Sequence, residues 1–292
     1  MKEIDYFFPK TLEEALQILN ENKGSMRVIA GGTDLVVRLK QDQVKEDKLL
    51  DISRIGALKG IEDRGEKIYI GAITTHTEIL EHPSIKTSVP ILYDAIKSIG
   101  SPQIRNIATL GGNVANASPA GDSIPALFVL NGVVFTKNIE EERKIPIEDF
   151  FLGPGKTSLK ENEILVGIEI TKMQDEEIGF FRKVGQRKGT AISVVNGAVR
   201  LKKDSKPNRF SKAFVSLGAV APTVVRAKIV ENALENEEID SLDKIMYISR
   251  LVFREVSPIS DVRGSLEYRR DVSINIIYEG LADLFLNGFR RL

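Results

Sequence analysis

Around residues 171–179 the sequence changes its pattern. The stretch "TKMQDEEIG" is charged and has no apolar periodicity. Ahead of it helical and strand-like patterns alternate; behind it strand patterns come first and helical patterns follow. Such a break predicts two units: an α/β or α+β unit over 1–175, then a separate α+β domain over 178–292. One continuous domain is the alternative, since 292 residues can fold either way.

Within the first unit, "TLEEALQILNEN" (Thr11 to Asn22) predicts an amphipathic helix. Thr11 caps it, Glu14 completes a capping box, and Leu12, Ala15, Leu16 and Leu19 share one face. "RVIA" reads as a short buried strand that ends at Gly31-Gly32, and "KLLDIS" and "KIYIGAIT" as further strands. "TEILEHPSI" and "PILYDAIKSIGS" read as helices, and Pro102 to Leu130 as a loop-rich stretch carrying a second pair, Gly111-Gly112. "ALFVLNGVVFT" and "ILVGIEI" are strands by their apolar and β-branched content. In the second unit, "AISVVNGAVRL" and "FSKAFVSLGAV" read as strands, and "SLDKIMYISRLVFREV" and "SINIIYEGLADLFLNGF" as helices.

The residue inventory narrows the chemistry. There is no cysteine, which removes disulfides, thiolate catalysis and cysteine-ligated zinc or iron–sulfur centres from this chain. The two histidines, His76 and His82, form no HExxH or paired-ligand pattern. In sequence, no histidine lies beside either glycine pair, and His76 reads as a polar residue near a helix start. If the chain is catalytic, its chemistry therefore comes from a bound cofactor. Lys+Arg and Asp+Glu balance at 41 each, so there is no basic footprint for nucleic acid. No apolar window suits a membrane span, and the acidic, interrupted N-terminus does not read as a signal peptide. A cytoplasmic protein is expected.

The two glycine pairs are the strongest motifs. The first, at Gly31, does not fit the G-x-G-x-x-G dinucleotide fingerprint. "GPGKTSL" (Gly153 to Leu159) ends like a P-loop, but that motif needs a glycine at position 150, which is Phe150. At each pair, backbone N–H groups can approach an anion without a Cβ in the way, and Thr33 and Thr109 each add a hydroxyl. Two such turns meeting at one pyrophosphate would bind it without a cluster of Lys or Arg; two ordinary tight turns are the alternative. Asp122 suits either a ribose or ring hydrogen bond or a helix N-cap, and Lys183 either a phosphate contact or a solvated surface lysine.

"AGGTDL" (Ala30 to Leu35) and "TLGGN" (Thr109 to Asn113) resemble the paired FAD-pyrophosphate motifs of the flavoprotein subunits of molybdenum hydroxylases. The similarity continues through "SPQIRNIATLGGN", "NASPAGDSIPAL", "GPGKTSLKENEILVGIEI" and "APTVVRA", nearly the whole chain. "FFLGPGKTSL", "GAVAPTVVRA" and "VSPISDVRGSLEYRR" are most similar to the FAD-binding subunit of bacterial xanthine dehydrogenases, with nicotinate dehydrogenase subunits close behind.

The resemblance implies an α+β protein. Its first part would be a two-subdomain FAD-binding domain of the vanillyl-alcohol-oxidase (PCMH) type, and its second a small C-terminal domain of the carbon monoxide dehydrogenase flavoprotein type. It implies that Arg27, Val28, Ile29, Ala30, Gly31, Gly32, Thr33, Asp34 and Leu35, with Thr109, Leu110, Gly111, Gly112 and Asn113, wrap the pyrophosphate and ribitol. Asp122 and Lys183 match FAD contacts, Leu165 a residue lining the cofactor cleft, and Ile192 the residue covering the isoalloxazine ring. No catalytic side chain and no metal site is implied on this chain. Electrons would arrive from [2Fe–2S] clusters on a small subunit, after hydroxylation at molybdopterin on a large one, and leave FAD for NAD⁺ or another acceptor. The assembly would be a heterotrimer or a dimer of heterotrimers, without nucleic acid or membrane. Some relatives hold an extra cluster in a cysteine-bearing loop of this subunit, which zero cysteines forbid here. A nicotinate, carbon monoxide or aldehyde enzyme, and a free-standing flavin oxidoreductase, are the alternatives.

Overall fold

A computed structural model describes residues 3–44, 46–187 and 189–290. It forms two compact units that interleave along the chain. The first comprises Met1–His82, Gly100–Ala117 and Gly132–Thr171; the second comprises Pro83–Ile99, Ser118–Asn131 and Lys172–Leu292.

In the first unit, strands Asp5–Phe7, Lys48–Asp51 and Met26–Ile29 form a three-stranded parallel sheet with Lys48–Asp51 in the middle. The intervening helix Leu12–Glu21 starts where Thr11 accepts the Glu14 amide, and it buries Ala15, Leu16 and Leu19. The Glu14 carboxylate returns to the Lys10 amide rather than to Thr11, so the capping box is displaced by one residue. A second, five-stranded antiparallel sheet runs in the order Ile61–Arg64, Lys67–Gly71, Ile164–Thr171, Val133–Lys137, Glu142–Pro146. One apolar cluster, including Leu16, Leu19, Leu50, Ile73, Phe135 and Val166, joins both sheets.

The second unit is a four-stranded antiparallel sheet covered on both faces. Its strands are Glu177–Gly185, Ser193–Lys203, Phe210–Gly218 and Val225–Arg226. Side chains alternate across a strand, and two neighbours show the two layers. A Cβ at Gly179 would meet Ile91 of helix Pro90–Lys97, while the ring of Phe180 fills the space that Gly280 leaves on helix Leu266–Leu286. Helices Lys228–Asn236, Leu242–Arg250 and Leu266–Leu286 bury one face over Val199, Leu201, Val215 and Leu217. Each such aliphatic side chain contributes roughly 1.5–3 kcal/mol by leaving water. Helix Ser123–Val129 packs on the opposite face, where Ser216 donates to the Pro125 carbonyl at 2.7 Å.

Several sequence expectations change. "TEILEHPSI" is two helices, His76–Glu81 and Pro83–Ser88, because Pro83 opens the second. The stretch expected to be loop holds three short helices, Pro102–Arg105, Leu110–Asn116 and Ser123–Val129. "ALFVLNGVVFT" is helical up to Val129 and becomes a strand only from Val133 to Lys137. A turn at Asn131 with φ of 51° separates the two. A short, wholly buried apolar run has no periodicity to tell helix from strand. Glu177–Gly185 is a strand that begins inside the charged break, and Lys228–Asn236 is a helix absent from the sequence reading. No helix among the described residues is long and apolar enough to cross a membrane.

Candidate functional site: the two glycine turns

The first turn follows strand Met26–Ile29, which carries Arg27, Val28 and Ile29. Arg27 points outward and pairs with Glu46 at 3.1 Å. Ala30 to Asp34 form the turn and Leu35 opens helix Leu35–Lys40. Gly32 adopts φ of +69°, a conformation costly for residues with a Cβ. Among the described residues, the amides of Gly31, Gly32, Thr33, Asp34 and Leu35 donate to no backbone or side-chain acceptor, and Asp34 makes no capping bond. Consecutive unengaged N–H groups in a partly exposed turn are an anion cradle.

The second turn is built differently. Thr109 caps helix Leu110–Asn116 by accepting the Gly112 amide at 3.1 Å. Leu110 N–H donates to Thr74 O at 3.1 Å, Gly111 N–H to Ala72 O at 2.9 Å, and Asn113 N–H to Thr109 O at 3.0 Å. Its amides are thus largely engaged within the protein. What it offers is space: Gly112 is exposed, and a Cβ there would meet only the Thr109 hydroxyl.

The fold brings the two turns together. A Cβ on Gly31 would lie 2.0 Å from the Ile107 carbonyl oxygen and 3.2 Å from Ala108 Cα, so the glycine is what permits the contact. The second turn also hangs on segment 72–76, since His76 N–H donates to Ala108 O at 2.9 Å and Thr75 bridges Thr109. A histidine therefore does lie beside a glycine turn, although His76 is more than thirty positions away in sequence. Its side chain is buried, and neither ring nitrogen has a partner among the described residues. Burial first, and the nearby Arg105 charge second, push its pKa down to about 4.

Leu165 sits in strand Ile164–Thr171, buried, at a bulge opposite Thr136. The neighbouring Val166 carbonyl accepts the Ala72 amide, and Ala72 in turn accepts from Gly111, which ties this strand to the second turn.

The second unit holds the other three. Asp122 stands at the N-cap position of helix Ser123–Val129 but makes no cap bond, so the N-cap alternative does not describe it. Its carboxylate accepts from Lys183 Nζ at 2.5 Å, Ser193 Oγ at 2.5 Å and Asn196 Nδ2 at 2.7 Å. Lys183 also donates to the Ser98 carbonyl at 3.1 Å, so it is a partly buried, paired ammonium and not a solvated one. Ile192 is exposed in the connection after Gly185. Ser193 and Asn196 were not singled out in the sequence. The one available signal was a polar Asn inside an apolar strand run, which needs a partner when buried.

Comparison with known proteins gives a consistent picture. Residues 2–172 match the family described as the FAD binding domain in molybdopterin dehydrogenase. Residues 180–284 match the CO dehydrogenase flavoprotein C-terminal domain. The chain is 38% identical over 208 residues to the nicotinate dehydrogenase FAD-subunit of Eubacterium barkeri, covering 70% of each. It is 32% identical over 268 residues to the xanthine dehydrogenase FAD-binding subunit of Escherichia coli O157:H7, covering 90% of each. The fold is similar to a chain of the carbon monoxide dehydrogenase of Hydrogenophaga pseudoflava, with a TM-score of 0.93, 26% identity and 98% coverage of both chains.

Proposed function

Because the chain belongs to the FAD-binding medium subunits of the molybdenum hydroxylases, we propose that it is the electron-transfer subunit of a xanthine-oxidising enzyme. In this reading electrons reach it from [2Fe–2S] clusters on a small partner, molybdopterin sits on a large one, and NAD⁺ or another acceptor takes the electrons. The partners would form a heterotrimer or a dimer of heterotrimers. FAD, when bound, supplies the redox chemistry.

The residues present fit that cofactor, and the observation that carries the reading is the run of unengaged amides from Gly31 to Leu35 beside the open surface of Gly112. The amides and the Thr33 hydroxyl would hold the pyrophosphate, with Arg27 to Ala30 leading into the turn. Thr109 to Asn113 would shape the space next to it, more by lacking side-chain bulk than by donating hydrogen bonds. Leu165, Asp122, Lys183 and Ile192 are assigned to FAD contact on the family resemblance. The functional division is placed at 1–175 for FAD binding and 178–292 for the C-terminal domain.

The 38% identity to a nicotinate dehydrogenase subunit favours nicotinate as the second reading of the substrate. The chains that co-purify, assayed with xanthine, nicotinate, carbon monoxide and an aldehyde, decide between them; turnover of nicotinate but not xanthine replaces the first reading. Gly32→Asp and Gly112→Asp test the cofactor site, because a carboxylate at either position meets the pyrophosphate. Each is expected to leave a purified chain without 450 nm absorbance. Full flavin in both variants would remove the pyrophosphate from these turns.

A further inference from the structure

The residues around Asp122 form one row across the second unit's sheet. Lys183 stands opposite Asn196 in the strand register, and Asn196 stands opposite Gly218. All three lie on the face covered by helix Ser123–Val129, together with Ser193. Gly218 makes the row possible: a Cβ there would fall 2.2 Å from Asn196 Oδ1. Because a carboxylate only accepts, Asn196 must present its NH₂ to Asp122. Ser193 and Asn196, both fully buried, share Oδ1, which leaves Oδ2 to Lys183. The ammonium thus makes two bonds, to Asp122 and to the Ser98 carbonyl, and its third N–H has no partner among the described residues. Two made bonds on a tetrahedral ammonium fix the direction of the third.

We propose that Ser193 and Asn196 are positioning residues for FAD: by locking the Asp122 carboxylate they aim the remaining Lys183 N–H at the cofactor. The proposal rests on the reading of Asp122 and Lys183 as FAD contacts. Its content is orientation rather than charge, since neither Ser193 nor Asn196 carries any.

The test is FAD titration of the flavin-stripped full-length chain, followed by flavin fluorescence, with the visible spectrum and midpoint potential of the bound flavin as second readouts. Thermal unfolding of each variant checks the fold. Ser193→Ala and Asn196→Ala are each expected to weaken FAD binding about tenfold, the scale of a lost buried hydrogen bond to a charged group, and to shift the flavin spectrum and potential. Ser193→Thr is expected to restore affinity to within about twofold. In an Asp122→Asn background, Ser193→Ala is expected to change affinity by less than about twofold, because its effect runs through Asp122. If Ser193→Ala does not fold, Asn196→Ala carries the same measurement. Wild-type affinity and spectrum in both variants, while Asp122→Asn or Lys183→Met binds weakly, would overturn the positioning role alone. So would an undiminished Ser193→Ala effect in the Asp122→Asn background. If Asp122→Asn and Lys183→Met themselves bind FAD normally, the underlying reading fails and the proposal falls with it.

Discussion

Gly31-Gly32 and Gly111-Gly112 look alike in sequence, and each pair has one glycine against backbone too close for a side chain. A Cβ on Gly31 would lie 2.0 Å from Ile107 O, and one on Gly111 2.6 Å from Ala72 O. Beyond that they differ. Among the described residues the first turn leaves its amides from Gly31 to Leu35 without acceptors, whereas the second uses Leu110, Gly111 and Gly112 to anchor itself to Thr74, Ala72 and Thr109. One turn keeps its amides free among the described residues, and the other uses them to hold itself in place. A glycine pair marks where backbone may come close; it does not say whether the close neighbour is protein or ligand.

The harshest way to break this arrangement is Gly31→Ala, which puts a methyl group into the Ile107 carbonyl and separates the turns. Overpacking against backbone is expected to cost about 3 kcal/mol or more and to empty the chain of flavin. Thermal unfolding and flavin content measure both, and a variant with normal melting and full flavin would show that the turns do not touch.

A second effect of nearly that size belongs to the second turn alone. His76, on the segment that anchors it, has its pKa pushed from the ordinary 6.5 down to about 4 by burial. The unfolded chain therefore takes up a proton before the folded one does. Stability is complete above pH 6.5 and falls as pH drops toward 4, by about 3 kcal/mol in total. His76→Leu should flatten that part of the stability profile, as followed by urea unfolding at pH 7, 5.5 and 4.5. An unchanged slope would mean another group titrates.

The mildest pair sharpens the contrast most. Thr109→Val removes a helix N-cap and should lower stability by about 1 kcal/mol. Thr33→Val removes a hydroxyl that has no hydrogen-bond partner among the described residues, and should leave melting unchanged while weakening FAD by about fivefold. If the two substitutions exchanged their effects, the roles given to the turns would be reversed.

Local chemistry was readable where short-range rules suffice. The helix from Leu12, strand Met26–Ile29, and strands Lys48–Asp51 and Ile164–Thr171 follow from caps and apolar patterns. At Ser123–Val129 the sequence left helix and strand both open, Asp122 suiting a helix cap and "ALFVL" a strand, because a wholly buried, largely apolar run carries no phase. At the site, both glycine pairs were visible, yet the contact between Gly31 and Ile107 was not, nor was His76 beside Ala108. Ser193 and Asn196 were hidden for the same reason: strand register, which no local pattern encodes, places them around Asp122.

The sequence by itself determined where the backbone could turn tightly, where helices could start, and which chemistries were closed to a chain without cysteine. Tertiary structure decided which of those turns still has hydrogen-bonding capacity to offer. An amide is available to a ligand only if no carbonyl from elsewhere in the fold reaches it. Segment 72–76 supplies carbonyl acceptors to the second turn, and among the described residues no carbonyl accepts from the amides of Gly31 to Leu35.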